Sequence, residues 1–172
     1  MANYLVPATI YAQINTTVYT TVVLNTTAIT SSTLASIGAS ASLNVNYNHE
    51  VDIFLKVKGT SGEVDGFKLR LTDGNATFKT EYILKGDIDI VDETAGTHTS
   101  ETKFFKCHTD VSGTEHSYNG GLSTTKKAWV HLKGIIKGGT NYGYIVDVKL
   151  ASYTDTQSIT VEKGFMRTRR LN

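Results

Sequence analysis

Apolar and polar side chains alternate through several stretches of this chain. Residues 51–58 place Val51, Ile53, Leu55 and Val57 on one side, and polar residues with one phenylalanine on the other. A period of two is typical of a half-buried β-strand. The same alternation, rich in β-branched residues, occurs at residues 17–24, 67–72, 129–136 and 142–150. We therefore predict a strand in each segment, and a shorter one at residues 103–108.

Turn signals separate these segments. Asp73-Gly74 is among the strongest short signals for a hairpin, so we expect residues 67–72 to pair with residues 76–84. Residues 92–100 and the Gly-Ser-Thr-rich residues 112–125 are predicted to form turns and loops. In the last of the long strands we expect four apolar residues to face inward and two charged residues to face outward: Tyr144, Val146, Val148 and Leu150 against Asp147 and Lys149.

The chain offers no sustained helical spacing of apolar residues. Strands about ten residues apart with Gly-rich turns favour an antiparallel arrangement, because a parallel sheet needs crossover helices. The fold class we predict is all-β, an antiparallel β-sandwich or jelly-roll-like fold with an extended N-terminal arm. Residues 1–42, rich in Thr and nearly uncharged, are assigned to the arm with one or two strands, and residues 43–172 to the β-sandwich domain.

The charge balance narrows the function classes. The chain has 17 basic and 16 acidic residues, a net charge of +1, which argues against a general nucleic-acid binder with a broad basic face. Acidic residues nevertheless cluster at residues 81–101 and basic residues at residues 163–170. The acidic cluster of one copy could contact the basic end of another, or both could be solvated strand faces.

Cysteine content and the first residues indicate where the protein is made. Cys107 is the only cysteine, so no intramolecular disulfide is available. The N-terminal residues lack a basic segment followed by a sustained apolar stretch, and the apolar runs are too short to cross a bilayer. We expect synthesis in the host cytoplasm and no membrane partner.

No catalytic or cofactor motif is present in the sequence, and we expect neither an enzyme nor a cofactor. Cys107, His108 and His116 could contribute to a zinc site, although a buried thiol and surface imidazoles explain them more simply. Asp87 and Asp89 share one side of a strand and could bind calcium, but a solvated acidic strand is the simpler interpretation. Our prediction is therefore that no metal is bound.

Aromatic and basic residues provide further candidates for binding. The tyrosines could form a sugar-binding platform, or pack between strands. In the basic C-terminal strand, alternation puts Arg167 and Arg169 on one face with Phe165 and Leu171, and Arg170 on the other. A strand with mixed faces is typical of a sheet edge or a subunit contact, and a final strand with snorkelling arginines is the alternative.

Four segments follow one another towards the end of the chain: Val-His-Leu-Lys-Gly-Ile-Ile at residues 130–136, Gly-Gly-Thr at residues 138–140, the strand at residues 144–151 and the ending at residues 159–171, which includes Gly-Phe-Met-Arg-Thr-Arg-Arg. Together they resemble the closing half of small β-sandwich virion proteins of tailed bacteriophages, and the resemblance covers the last two thirds of the chain. Residues 64–71 are similar to an earlier strand of the same modules. The resemblance implies a jelly-roll-like module that decorates a capsid or belongs to a tail or fibre, with no catalytic residues to carry over.

A nearly uncharged arm could add strands to a neighbour's sheet through main-chain hydrogen bonds. We therefore expect a structural virion protein, located in the virion, most simply a capsid decoration or cementing protein. The expected partners are the major capsid protein, other virion proteins and further copies of the chain in a dimer or trimer, without direct contact to nucleic acid. A tail or head-fibre component and a carbohydrate-binding module are the alternatives. The candidate interaction residues are Tyr4, Leu5, Val6, Ile10, Tyr11, Arg167, Arg169 and Arg170.

Overall fold

The computed structural model describes residues 19–23, 28–43, 47–60, 62, 64, 66–73, 81–107, 115–137 and 144–171. Within them ten β-strands form two antiparallel sheets, and no helix occurs. The strands are β1 (Tyr19–Val23), β2 (Ala35–Leu43), β3 (Asn48–Gly59), β4 (Phe67–Asp73), β5 (Glu81–Asp92), β6 (Thr97–Cys107), β7 (His116–Tyr118), β8 (Lys126–Lys137), β9 (Tyr144–Ser152) and β10 (Ile159–Arg170). The predicted all-β sandwich is confirmed.

Strand pairing is nested from the ends of the chain towards its middle. The larger sheet has the order β1-β10-β3-β8-β5-β6 and the smaller one β2-β9-β4-β7. Thus β1 pairs with β10, β2 with β9, β3 with β8 and β4 with β7. Eight strands folded back on one another in this way, in two sheets, form a jelly roll.

The core lies between the two sheets and is built from the predicted alternation. Val51, Ile53, Leu55 and Val57 of β3 are fully buried, and so are Leu69 and Leu71 of β4. In β9, Val148 and Leu150 are buried as predicted and Lys149 is half-buried. Asp147 is buried too, although it was expected to face outward, because its carboxylate accepts a 2.7 Å hydrogen bond from Ser36 of β2.

One hairpin is inserted into the jelly roll between β4 and β7. Strands β5 and β6 pair with each other from Tyr82↔Cys107 to Asp92↔Thr97 and extend the larger sheet beyond β8. Residues 81–84 pair with β8 and β6 and not with β4, so this part of the predicted pairing of residues 67–72 with residues 76–84 is wrong. Residues 76–80 lie outside the described residues. β9 pairs with β4 along its whole length and β7 pairs with Phe67–Leu69, and the described chain continues in the other sheet with β5.

Three other local predictions need correction. The strand expected at residues 103–108 is β6, which begins at Thr97, so the turn occupies only residues 93–96. Within the predicted loop at residues 112–125, residues 116–118 form β7. The basic strand β10 is not a sheet edge, since β1 pairs with one side of it and β3 with the other.

Of the segment assigned to the arm, the structure describes residues 19–23 and 28–42. Residues 19–23 form β1 at the edge of the larger sheet, and β2 forms an edge of the smaller one. An isolated bridge between Ile29 and Ile159 ties the intervening segment to β10. Residues 1–18, with the candidates Tyr4, Leu5, Val6, Ile10 and Tyr11, lie outside the described residues.

Candidate functional site

The outer face of the larger sheet carries the groups best placed for recognition. Its inner face packs on the smaller sheet, and alternation therefore points every second side chain of β3, β5, β6, β8 and β10 away from the core. Cross-strand register arranges these side chains in rows. Three neighbouring features result on this face: an apolar patch, an aromatic cluster and a charged pocket.

The apolar patch consists of Ile83, Phe104 and Ile135. Ile83 pairs directly with Ile135, and Phe104 pairs with Lys85, two residues from Ile83 on the same face. Ile83 exposes 63% of its surface, Phe104 exposes 52% and Ile135 exposes 51%. Single exposed apolar residues are ordinary on a protein surface, whereas three on neighbouring strands of one sheet face form a candidate interaction site.

The aromatic cluster consists of Phe54, Trp129 and Phe165. The rings of Phe54 and Phe165 stack with centroids 5.7 Å apart, and Trp129 meets Phe54 edge-on at 5.6 Å. Cations flank the cluster, with the Lys56 Nζ atom 4.8 Å from the Trp129 ring centroid and the Arg167 guanidinium 4.9 Å from that of Phe165. Trp129 keeps 37% of its surface exposed.

The charged pocket lies between β3 and β10, beside the aromatic cluster. It has a volume of about 240 Å³ and is lined by Glu50, Asp52, Arg167, Thr168 and Arg169. An ion pair of 2.7 Å joins Arg169 to Glu50. The Asp52 carboxylate lies 2.6 Å from the His131 Nε2 atom. The pocket therefore presents charges of both signs next to flat apolar rings.

The predicted basic residues are divided between the two faces of β10, as the alternation indicated. Arg167 and Arg169 both line the pocket on the outer face. Arg170 instead lies over the ring of Tyr47, with its guanidinium 4.5 Å from the ring centroid. The geometry therefore joins Arg167 to Arg169 and separates Arg170 from them.

An ion cluster ties the β5-β6 turn to the middle of the same face. The Nζ atom of Lys127 lies 2.7 Å from Glu93 and 3.6 Å from Glu162, and Lys56 bridges the same two acids. The hydrogen bond from Lys127 lowers the pKa of Glu93, and the hydrogen bond to Glu93 raises the pKa of Lys127. Burial alone would raise the pKa of Glu162, but Lys56 and the other lysines outweigh it and lower that pKa.

The acidic stretch is occupied by contacts within the chain. Asp87 accepts hydrogen bonds from Lys85 at 2.9 Å and Thr102 at 2.8 Å, and these bonds lower its pKa. Asp89 accepts a hydrogen bond from the hydroxyl of Ser100. Asp92 accepts bonds from the backbone amides of Ala95 and Thr94, which lower its pKa. Glu101 pairs with Lys103 at 3.0 Å.

Metal ligands do not converge in the part of the chain that is described. Among those residues no group of three or more His, Cys, Asp or Glu side chains could hold an ion. The ring of His116 donates a 2.8 Å hydrogen bond to the Phe104 carbonyl oxygen. The side chain of Cys107 and the whole of His108 lie outside the described part.

No helix in the described ranges is long and apolar enough to cross a membrane.

Tyr47, Tyr118 and Tyr153 are the tyrosines of the predicted platform whose side chains the structure describes. Tyr118 packs against Phe67, and burial raises its pKa. Tyr47 is exposed and contacts Arg170, and Tyr153 is half-buried. Tyr82, which was not part of the predicted platform, is buried and donates a 2.9 Å hydrogen bond to the Leu71 carbonyl oxygen. Tyr47 and Tyr118 therefore pack against different partners.

Sequence reasoning did not single out the apolar patch or the aromatic cluster. Some of their residues can be recognised in the sequence, because an aromatic or branched side chain there occupies the polar side of an alternating strand. Phe54 lies between Ile53 and Leu55 in this way, and Trp129 lies between Ala128 and Val130. Their convergence depends on the strand order and could not be read from the chain.

Comparison with known proteins gives weak similarities. No family model matches the chain, and no curated protein matches it. A chain from the structure of infectious bursal disease virus, Gx strain, is 12% identical with a TM-score of 0.25, over 91% of this chain and 36% of its own length. A mutant VP2 protein of the same virus, in derived T=1 particles, is 14% identical with a TM-score of 0.26, over 91% and 41%.

A bacterial carbohydrate-active protein is also similar. The CBM22-1-GH10 modules of the Clostridium thermocellum xylanase 10B, complexed with xylohexaose, are 15% identical with a TM-score of 0.17, over 86% of this chain and 25% of theirs. The chain thus spans well under half of the length of each of these three proteins. At these identities and TM-scores the likeness carries no argument about function.

Proposed function

We propose that the protein is a structural virion protein of a tailed bacteriophage, a capsid decoration or cementing protein that acts by binding and not by catalysis. Its partners in this proposal are the major capsid protein and further copies of itself, in a dimer or trimer. It is made in the host cytoplasm and becomes part of the virion. Within the same class, a tail or head-fibre component differs only in its position on the particle.

The observation that carries this proposal is the apolar patch on a regular sheet face. Ile83, Phe104 and Ile135 expose half or more of their surfaces on a sheet that otherwise presents mainly charged and hydroxyl groups. Covering such a patch yields roughly 25 cal/mol per Å² of apolar surface removed from water. Repetition over a symmetric shell would multiply a modest contact by avidity. Jelly rolls serve in viral capsids and lectins, which agrees with a binding role.

Incorporation into particles tests this proposal. A chain lacking residues 2–15 is expected to stay folded by circular dichroism but to be absent from purified particles, because the arm residues Tyr4, Leu5, Val6, Ile10 and Tyr11 would be missing. Full-length protein produced in parallel is the control. Normal occupancy of the shortened chain would refute the role of the arm.

The aromatic cluster favours carbohydrate binding as a second candidate function. Trp129 is partly exposed beside the charged pocket. A sugar ring can stack on an aromatic face while carboxylates and guanidinium groups bind its hydroxyls. In this candidate the Asp52-His131 pair and Arg167 provide the polar contacts.

Glycan-array binding separates the two candidates. If the cluster binds sugar, wild-type protein should retain a glycan and Trp129→Ala should reduce that retention at least tenfold. Tyr47→Ala, which removes an exposed aromatic ring outside the cluster, is the matched control. An array without any retained glycan would exclude this second candidate for the glycans displayed.

A further inference from the structure

Among the described strands only β5 pairs with β6, which is therefore an edge strand of the larger sheet. The Phe104 carbonyl oxygen accepts a hydrogen bond from the His116 ring. Backbone groups of a paired strand alternate in direction, so every second residue of β6 directs its groups away from β5. An exposed edge of this kind is a template for another strand.

The apolar patch adjoins this edge. Phe104 is on β6 itself, and Ile83 and Ile135 are on the next two strands inward. The opposite face of β6 is partly polar, with the Glu101-Lys103 ion pair on it. A strand added at the edge would therefore offer main-chain hydrogen bonds to β6 and apolar side chains to one face of the sheet.

The N-terminal segment of the chain has the composition to occupy this surface. Residues 1–18 contain no charged side chain, and their apolar members include Leu5, Val6, Ile10 and Tyr11. Fully extended, 18 residues span about 60 Å. The segment joins the described chain at Tyr19, the first residue of β1.

The position of β1 favours a neighbouring copy as the acceptor. β1 and β6 are opposite edges of the same sheet. Within one copy the segment would have to cross the whole sheet, five inter-strand spacings or about 24 Å, to reach β6, whereas a neighbouring copy can place its β6 edge directly beside β1. It would also pass the Arg169-Glu50 ion pair, which lies in the same register row as Tyr19. Copies placed side by side bring the β1 edge of one next to the β6 edge of the other.

We propose that residues 1–18 of one copy bind the open edge of β6 and the apolar patch of a second copy. This inference rests on the proposed function and specifies how copies join. The donor and acceptor surfaces differ, so the contact between copies is heterologous. It forms a closed ring when the rotation relating neighbouring copies divides a full turn evenly. Each copy then donates one segment and accepts one.

Light scattering on the full-length chain tests this contact. Ile83→Lys combined with Phe104→Lys should weaken association at least tenfold, because a charge in the patch would oppose an uncharged apolar segment. Val91→Lys adds one lysine to the outer face of β5 at the far end of the hairpin and should leave association unchanged; Ile83→Lys alone is the charge-matched comparison. A monomeric wild-type chain, or an oligomer that tolerates the double substitution, would overturn the inference.

Disulfide trapping identifies the occupant. In a Cys107→Ser background, one tagged chain carries Ile10→Cys and a differently tagged chain carries Thr102→Cys. We expect a disulfide between these two chains on mixing. A further chain carries both Ile10→Cys and Thr102→Cys. Absence of a bond between chains, or a bond that forms only within the doubly substituted chain, contradicts the inference. Cosedimentation with undecorated capsids is scored separately, so capsid binding by a chain without this contact would leave the proposed function standing.

Discussion

At the residue scale, the acidic residues and lysines around the β5-β6 turn form ion pairs with one another. Glu93 contacts Lys127 and Lys56, and Glu162 contacts Lys56, Lys58 and Lys127. Three acids of the stretch at residues 81–101, namely Asp87, Glu93 and Glu101, therefore have lysine partners within their own chain. The contribution of this stretch is to hold the inserted hairpin against β3, β8 and β10.

Acid should weaken this arrangement. The pKa values of Glu93, Asp92 and Asp87 are lowered from ordinary values of 4.5 for Glu and 3.8 for Asp. The three ionised carboxylates thus stabilise the folded protein fully when the pH is above their ordinary pKa values. This stabilisation is lost as the pH falls through their lowered, folded-state pKa values. We expect a lower urea midpoint at pH 3 than at pH 6. Glu93→Gln should reduce the difference, and Glu115→Gln at an exposed site should not.

The Lys127 ammonium acts in the opposite pH direction. Its pKa is raised by the hydrogen bond to Glu93, so its stabilisation is present below the ordinary lysine value of 10.5 and is lost as the pH rises through the raised value. The cluster is therefore intact at neutral pH.

A second residue-scale prediction concerns Gly134 of β8. A Cβ atom there would meet the Ile83 carbonyl oxygen and lie 2.7 Å from the Leu84 Cδ2 atom. Backbone cannot move aside as a flexible side chain can, so Gly134→Ala should lower the free energy of unfolding by about 1–3 kcal/mol. Urea denaturation measures this loss. Thr124→Ala at an exposed bend should change it by less than about 0.5 kcal/mol, and an unchanged Gly134→Ala protein would contradict the packing.

At the element scale, alternation predicted strands better than it predicted their partners. The inward faces of β3 and β4 follow directly from their apolar residues. The Asp73-Gly74 signal nevertheless predicted a partner for residues 67–72 that includes residues 81–84, and these pair with β6 and β8 instead. A local turn preference cannot reveal that β9 pairs with β4 along its whole length. Strand β6 was predicted too short for a related reason. Residues 97–100 are exposed on both faces, so no buried face imposes alternation on them.

The inserted hairpin depends on its turn. The Asp92 carboxylate accepts hydrogen bonds of 2.9 Å from the Thr94 amide and 3.0 Å from the Ala95 amide, and Gly96 donates to the Asp92 carbonyl oxygen. Asp92→Ala removes the first two bonds. We expect faster hydrogen exchange at residues 94–100 with little change in the core of β3. Equal exchange in both proteins would mean that the turn does not depend on this side chain.

At the scale of the whole molecule, nested pairing brings the first and last described strands together. β1 and β10 lie side by side, and Tyr19 at the start of β1 pairs with Arg169 near the end of β10. Sequence reasoning placed interaction residues in both ends separately. It could not show that Arg167 and Arg169 share a pocket with Glu50 and Asp52, since that pocket requires β10 to pair with β3.

The apolar patch leads to a prediction about the intact particle. Ile83, Phe104 and Ile135 are exposed in the single chain, so replacing Ile83 with Lys should not destabilise the fold but should reduce retention on particles during salt and dilution washes. Thermal unfolding and particle occupancy, measured on the same preparation, separate these effects. Reduced thermal stability with unchanged occupancy would assign the patch to folding.

The most direct test of the central claim is binding of the purified full-length chain to undecorated phage capsids. Size-exclusion chromatography with light scattering defines the oligomer, and cosedimentation at increasing protein concentration then measures binding to the shell. We expect a stable dimer or trimer that saturates the capsids at a fixed ratio to the major capsid protein. A chain that stays in the supernatant at every concentration would contradict the assignment to capsid decoration.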